Sequence, residues 1–309
     1  PLYHINAEIV SLISSLLRGG SVVLPSRFSV SAFWQDIVKY ECSWFSLVPT
    51  IVTYLLDHES REPIDTATRD YIKQHVRFGR SASAPLSPEM HREFEQKFSV
   101  SLIETMGLTE TAAQILSNPL PPGEIKYGSP GIAIGNEAKI MDDQKQDCPV
   151  GVSGELMIRG DNVMAGYYKN ETATTEALRA DGWLHTGDLG RIDDAGRLHI
   201  LGRTKELIIH GGFNVYPPEV EAALNDHPQV IQCAVVGRTK DGDEQVLAFV
   251  QAAPTDLPDV EDLRRFAAER LAGYKRPARI IVATELPAAP TGKILKHRLL
   301  DHFAAELDA

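Results

Sequence analysis

Five stretches of this sequence hold side chains suited to work on a phosphorylated ligand. Met106-Gly107-Leu108-Thr109-Glu110-Thr111 sets a hydroxyl beside a carboxylate, directly after an apolar run that ends at Glu104. At the carboxyl end of a strand in an open parallel sheet, that pair can meet a phosphate and its Mg²⁺. A plain helix start, with Thr109 as N-cap and Glu110 in the first turn, explains the same residues and taken alone carries more weight. Trp183-Leu184-His185-Thr186-Gly187-Asp188 brings an aspartate to a strand entrance behind a glycine turn. Its carboxylate can accept hydrogen bonds from a ribose diol, and an Asx-turn is the plainer account. Pro290-Thr291-Gly292-Lys293 presents a lysine on a glycine turn, within reach of a phosphate oxygen or a developing negative charge. A solvated lysine near a helix start is the alternative, slightly disfavoured by the helix dipole. Ser81-Ala82-Ser83-Ala84-Pro85-Leu86-Ser87 is a run of small residues against which a flat ring can lie, or an ordinary strand-to-helix loop. Gly202 through Pro217 is a charged turn between two bodies of different grammar, either a hinge or a simple linking hairpin.

The elements that must position these stretches follow from apolar spacing. Helices are expected at 7–17, closed by Gly19-Gly20, at 29–40 behind Ser29, at 49–56 behind Pro49, and from Ser87-Pro88 to Phe98. Short strands are expected at 21–25, 44–48, 76–79 and 101–104. This alternation predicts right-handed crossovers and a parallel sheet. From about Gly128 short strands separated by turns take over, at 137–141, 154–159, 189–192 and 198–201, and predict an antiparallel β subdomain. After Lys205 come a hairpin over 208–216, a helix with Pro218 in its first turn, two strands around Lys240-Asp241-Gly242, a helix over 259–271, a strand over 279–282 and a final helix holding Leu295, Leu299, Leu300 and Phe303. The fold class is therefore α/β: residues 1–204 as part of a large domain (sheet about 1–127, β subdomain about 128–204), then a small α+β domain over 205–309.

Composition bounds the function. The 309 residues are 43% hydrophobic, enough for a substantial core, and fit one large and one small domain. A net charge of −11 argues against nonspecific binding to nucleic acid or anionic membranes. Cys42, Cys148 and Cys233 are few, odd in number and without metal-ligand spacing, so a reducing compartment, the cytoplasm, is inferred. No apolar run approaches the ~20 residues of a bilayer span, and no signal peptide is expected. The chain starts at Pro1 without Met, as expected of a piece of a longer protein.

In order and spacing together, these stretches resemble the adenylate-forming superfamily: acyl-CoA synthetases, peptide-synthetase adenylation domains and firefly-type luciferases. The resemblance rests on Pro1-Leu2-Tyr3-His4, Gly107-Leu108-Thr109-Glu110, Gly154-Glu155-Leu156 through Gly166-Tyr167, Trp183 through Asp188, Gly202-Arg203 through Pro217, and Pro290-Thr291-Gly292-Lys293. It covers nearly the whole chain. The run from Lys205 to Pro217 is similar to that of fatty-acyl, aryl and dicarboxylyl CoA ligases.

The resemblance implies a carboxylic acid activated by ATP with Mg²⁺ to acyl-AMP, then passed to the thiol of CoA after the small domain swings as a lid. It implies Mg²⁺ at Glu110, adenylate phosphate at Thr109, ribose at Asp188 and Arg203, and adenine against Ser83 and Ala84 with Glu104 and Thr105 nearby. Lys293 would bridge carboxylate and α-phosphate. Lys205 would be the hinge, Gly211 and Gly212 would admit the pantetheine arm, His4 would line the acyl pocket, and Arg27 would meet a CoA phosphate. Three departures stand out. The family's Ser/Thr/Gly-rich phosphate loop would lie upstream of Pro1, so these 309 residues alone are expected to be poor at adenylation. Met106 replaces a common aromatic residue. Ile209 and Asn214 depart from the plant phenylpropanoid type. A carrier-protein thiol as acceptor, luciferase-like oxidation and a non-catalytic fragment are the competing readings. Which acid is used is not legible in these residues. A homodimer is carried as an expectation.

Overall fold

Polar caps and prolines start the helices, and alternation sets the strands. The computed structural model describes residues 2–240, 242–289 and 293–308. The chain divides into two compact units between Ile200 and Leu201.

In the first unit a π-helical segment, Asn6–Ile13, runs into α1 (Ser14–Leu17). Then come α2 (Val30–Lys39), β1 (Trp44–Leu47), α3 (Pro49–Arg61), α4 (Thr66–His75), β2 (Phe78–Ser81), α5 (Pro88–Phe98) and β3 (Leu102–Gly107). The Asp65 carboxylate caps α4 by accepting from Thr68 N at 2.8 Å, and Pro49 and Pro88 open α3 and α5. Strands β1, β2 and β3 pair in parallel, Phe45 beside Gly79 and Gly79 beside Leu102. β4 (Gln114–Ser117) and β5 (Ile132–Ala133) extend this sheet antiparallel. Alternation sorts its faces. Phe45, Leu47 and Leu102 join Trp34, Leu55, Phe94 and Phe98 in the core under the helices. Trp44 stacks on Phe78 at 5.6 Å, and Ser46 meets Arg80, on the opposite face.

A second sheet in the order β6-β7-β8-β9 follows: β6 (Glu137–Met141), β7 (Gly154–Arg159), then α6 (Glu171–Ala177), β8 (Leu184–Ile192) and β9 (Leu198–Arg203). Its apolar side packs Ile140, Leu156, Ile158 and Leu198 against Ile115 and Leu116 of β4.

In the second unit the hairpin β10 (Ile208–His210) and β11 (Phe213–Val215) leads to α7 (Pro217–Asn225). A three-stranded sheet is built from β12 (Gln232–Lys240), β13 (Asp243–Gln251) and, after α8 (Val260–Arg270), β14 (Arg279–Ala283). Val246, Ala248 and Val250 face one core with α7 and α8, while Leu247 and Phe249 face another with Leu299 and Phe303. Covering both faces explains the unbroken apolar run in β13. The chain closes with α9 (Leu299–His302) and α10 (Ala304–Asp308).

The α/β class is as expected, with local corrections. Residues 21–25 form no strand, because no neighbouring strand pairs with them. Helix α3 runs to Arg61 rather than Leu56, and α4 was not anticipated. Two of its three apolar residues (Ala67, Tyr71, Ile72) are adjacent, a weak periodic signal. Leu295 lies outside the terminal helices, which are broken at Phe303. Asp241 of the β12–β13 turn lies outside the described residues. All three cysteines are free thiols. No helix among the described residues is long and apolar enough to cross a membrane.

Candidate functional site

The carboxyl end of β3 organises the first unit's polar centre. Glu104 is 4% exposed, and its Oε1 accepts from Leu86 N at 3.2 Å. Thr105 Oγ1 donates to Ser81 O at 3.5 Å. These two neighbours pin both ends of the small-residue loop. Within it Ser83 and Ala84 are exposed, and Ser83 holds a left-handed φ of 76°. A non-glycine residue stays there only when its surroundings over-determine it, and such residues cluster at ligand clamps. Glu104 Oε2 and Ser81 Oγ are buried without a hydrogen-bond partner among the described residues. Burial pushes the Glu104 carboxyl up from 4.5 to about 7, offset only in part by the Leu86 amide and His91.

Directly after β3 comes a 3₁₀ turn, Thr109–Thr111. Leu108 holds the cap position and Thr109 is the first turn residue, so the N-cap expected at Thr109 is corrected. The reason is Thr111, whose Oγ1 bonds both Leu108 N and Leu108 O and draws the turn one residue back. Thr109 is left exposed. Glu110 Oε1 accepts from the Tyr167 hydroxyl at 2.8 Å, and Glu110 O accepts from Met164 N at 2.8 Å. Tyr167 was visible only as the end of a motif. Its partner lies 57 residues earlier, beyond any local pattern.

Asp188 is 4% exposed and sits inside β8, not at a strand entrance. Gly187 has φ 71°, and the β7–β8 register slips between Glu155 and Met157. The expected glycine turn is thus a bulge within a longer strand. Glu155 holds it: Oε1 accepts from Gly187 N at 3.0 Å and Oε2 meets His185 Nδ1 at 2.9 Å. Asp188 N donates to Thr186 Oγ1 at 3.0 Å. His4 and Arg27 are exposed, at the start of the π-helical segment and in the loop before α2.

In the second unit Arg203 and Lys205 are exposed, Lys205 within a 3₁₀ turn, Thr204–Glu206. Gly211 and Gly212 carry φ of 58° and 78° in open space at the hairpin tip, where a side chain would strain the backbone. Gly211 N donates to both Asp243 carboxylate oxygens, at 3.0 and 3.1 Å, which lowers the Asp243 pKa. Lys293 is exposed; Pro290, Thr291 and Gly292 lie outside the described residues. Lys293 O accepts from Ala289 N at 2.8 Å. Three residues on, Lys296 Nζ meets Glu206 Oε2 at 2.7 Å and Glu221 Oε1 at 2.8 Å. The loop of Lys293 and the turn of Lys205 are thereby tied to one ammonium group.

The chain is similar to known proteins in sequence and in fold. The family described as AMP-binding enzyme matches residues 1–168, and the AMP-binding enzyme C-terminal domain matches 219–293. Sulfoacetate–CoA ligase of Cupriavidus necator is 45% identical over 304 residues, covering 98% of this chain and 58% of that protein. ATP-bound MatB from Rhodopseudomonas palustris superposes with a TM-score of 0.87 at 32% identity, over 98% of this chain and 59% of that one. The o-succinylbenzoate CoA synthetase MenE of Bacillus subtilis, in complex with ATP and magnesium ion, gives 0.82 at 34% identity, over 97% and 60%. The chain spans about 58% of the length of curated relatives it matches. By sequence and by fold, this chain belongs to the AMP-binding enzyme family.

Proposed function

We propose that the protein carrying this chain is an AMP-forming acid–CoA ligase. A carboxylate attacks the α-phosphorus of ATP, giving acyl-AMP and pyrophosphate. The CoA thiol then attacks the acyl carbon, giving the thioester and AMP, with the thiol proton released. The observation that carries this reading is the end of β3. One strand end holds both pins of the small-residue loop, Glu104 and Thr105, and leads straight into Thr109 and Glu110. Ligands in open α/β sheets bind at that end.

In this reading Ser83 and Ala84 lie against adenine, Thr109 contacts the adenylate phosphate, and Asp188 and Arg203 hold the ribose. Among the described residues no three His, Cys, Asp or Glu side chains group to hold a metal. Glu110 would therefore hold Mg²⁺ together with phosphate oxygens, the usual habit of that ion. When bound, Mg²⁺ neutralises charge on the phosphates. Lys293 stabilises the charge developing at the α-phosphate. Residues 205–309 act as a mobile lid about Lys205, with Gly211 and Gly212 beside the pantetheine arm, His4 in the acyl pocket and Arg27 at a CoA phosphate.

The test is acid-dependent pyrophosphate release by the full-length protein, with and without CoA. Turnover that needs CoA and yields acyl-CoA supports the ligase. A single burst leaving bound acyl-AMP, indifferent to CoA, points to a carrier-protein acceptor.

A further inference from the structure

Arg80 is an unusual buried residue. It is 6% exposed, near the end of β2, on the sheet face away from the helical core. Its guanidinium donates to three neutral groups: Nε to Gln114 Oε1 at 3.1 Å, Nη1 to Ser46 Oγ at 3.3 Å, and Nη1 to Asn6 Oδ1. Among the described residues it has no carboxylate partner, and Nη2 makes no hydrogen bond. The group stays charged at neutral pH, because burial lowers its pKa only to about 10. A buried cation without a counter-ion is costly, and a neutral side chain would join these three groups at less cost. Purely architectural work does not explain an arginine here.

Its neighbours say what faces it. Asn6 lies two residues after His4, and Asn6 N donates to His4 Nδ1 at 3.4 Å. Along β2, Ser81 is the next residue, followed by the loop of Ser83 and Ala84. Arg80 therefore stands between the π-helical segment and the loop assigned to the nucleotide.

We propose that Arg80, framed by Asn6, Ser46 and Gln114, binds a second anionic group on the acid substrate, so that the enzyme acts on short carboxylic acids carrying another carboxylate or a sulfonate. The proposal rests on the acid-activating reading above. A guanidinium fork pairs bidentately with either oxyanion, and its unused Nη2 supplies part of that fork. The substrate is short because Arg80 is a single residue from Ser81, whose carbonyl meets Thr105 at the adenylate end. Asn6, Ser46 and Gln114 hold the guanidinium in place without neutralising it, so it is preorganised for an incoming anion.

The experiment compares kcat/KM for pyrophosphate release with malonate, sulfoacetate and propionate, using the full-length protein. Wild type is expected to favour at least one dianion over propionate by about 100-fold or more. The favoured acid tells whether the anion is carboxylate or sulfonate. Arg80→Met should cut that ratio to within a few-fold of unity. Arg80→Lys, which keeps the charge and guards against misfolding of the methionine variant, should cut it about tenfold, since a point charge replaces a fork. Equal turnover of propionate and the dianions by wild type overturns the proposal while leaving the ligase intact. So does an equal loss on all three acids in Arg80→Met, or an unchanged ratio in folded Arg80→Lys. If no acid releases pyrophosphate, the ligase reading fails instead. Calorimetry with malonate and sulfoacetate then decides the subsite: binding lost in Arg80→Met supports it, and no binding to wild type overturns it.

Discussion

The Tyr167 hydroxyl donates a 2.8 Å hydrogen bond to Glu110 Oε1. The carboxylate proposed to hold Mg²⁺ is thus oriented by a residue from the loop before α6. The contact also raises the Tyr167 pKa, after a larger contribution from burial. Outer partners of metal-binding carboxylates commonly contribute 10–100-fold to affinity. Tyr167→Phe should raise the Mg²⁺ concentration for half-maximal pyrophosphate release about tenfold. An unchanged Mg²⁺ titration would leave Tyr167 a packing residue only.

Glu104 makes stability depend on pH. Its folded pKa of about 7 exceeds its ordinary 4.5, so the native state holds its proton where the unfolded chain has lost it. The stabilisation is fully present below pH 4.5, declines as pH rises, and is gone above about 7. The whole change is about 3 kcal/mol, from about 1.4 kcal/mol per pKa unit. Glu104→Gln should remove this decline and gain relative stability at pH 8. Urea melts at pH 5 and pH 8 test it, and parallel pH profiles for wild type and variant would sink the claim.

Lys296 is the charge centre of the second unit's loop anchor. Burial works against its charge, but Glu221 and Glu206 outweigh that and raise its pKa. Glu221 is pushed up by burial, and Lys296 offsets this only in part. Lys296→Met should cost about 2 kcal/mol at pH 8, where both carboxylates lose their partner, and less at pH 5, where Glu221 can take a proton. Denaturant titration at the two pH values is the check. A loss that ignores pH would mean packing, not charge.

Lys293→Ala should lower the adenylation rate by about 100-fold or more and spare thioester formation from supplied acyl-AMP. Equal loss in the two half-reactions would refute the role given to Lys293.

Lys205→Pro breaks the 3₁₀ turn at Thr204–Glu206, because the residue before proline is driven out of helical geometry. Acyl transfer to CoA should fall more than pyrophosphate release. An unimpaired thiol step would remove the hinge assignment.

Much of this architecture is written locally. Ser87 caps α5 by accepting from Met90 N, Pro88 opens its first turn, and apolar residues two apart give β1 and β6, all from interactions within a few residues. The α/β class and the order of the motifs follow from the same short-range rules. What a residue meets across the fold does not. Residues 21–25 have strand composition but gain no partner, and β8 begins at Leu184 because β7 pairs with it through a bulge. Resemblance in sequence sets Glu104 near an adenine, but only three-dimensional burial drives its pKa toward 7. Arg80 belongs to none of the motifs singled out in the sequence. It becomes a candidate subsite because Asn6, Ser46 and Gln114, from three separate segments, close around it without a negative charge. Local propensity acts through neighbours in the chain, whereas desolvation and charge pairing act through neighbours in space. The sequence therefore determined the elements and the candidate chemistry, and the tertiary structure decided which charges are buried and what they face.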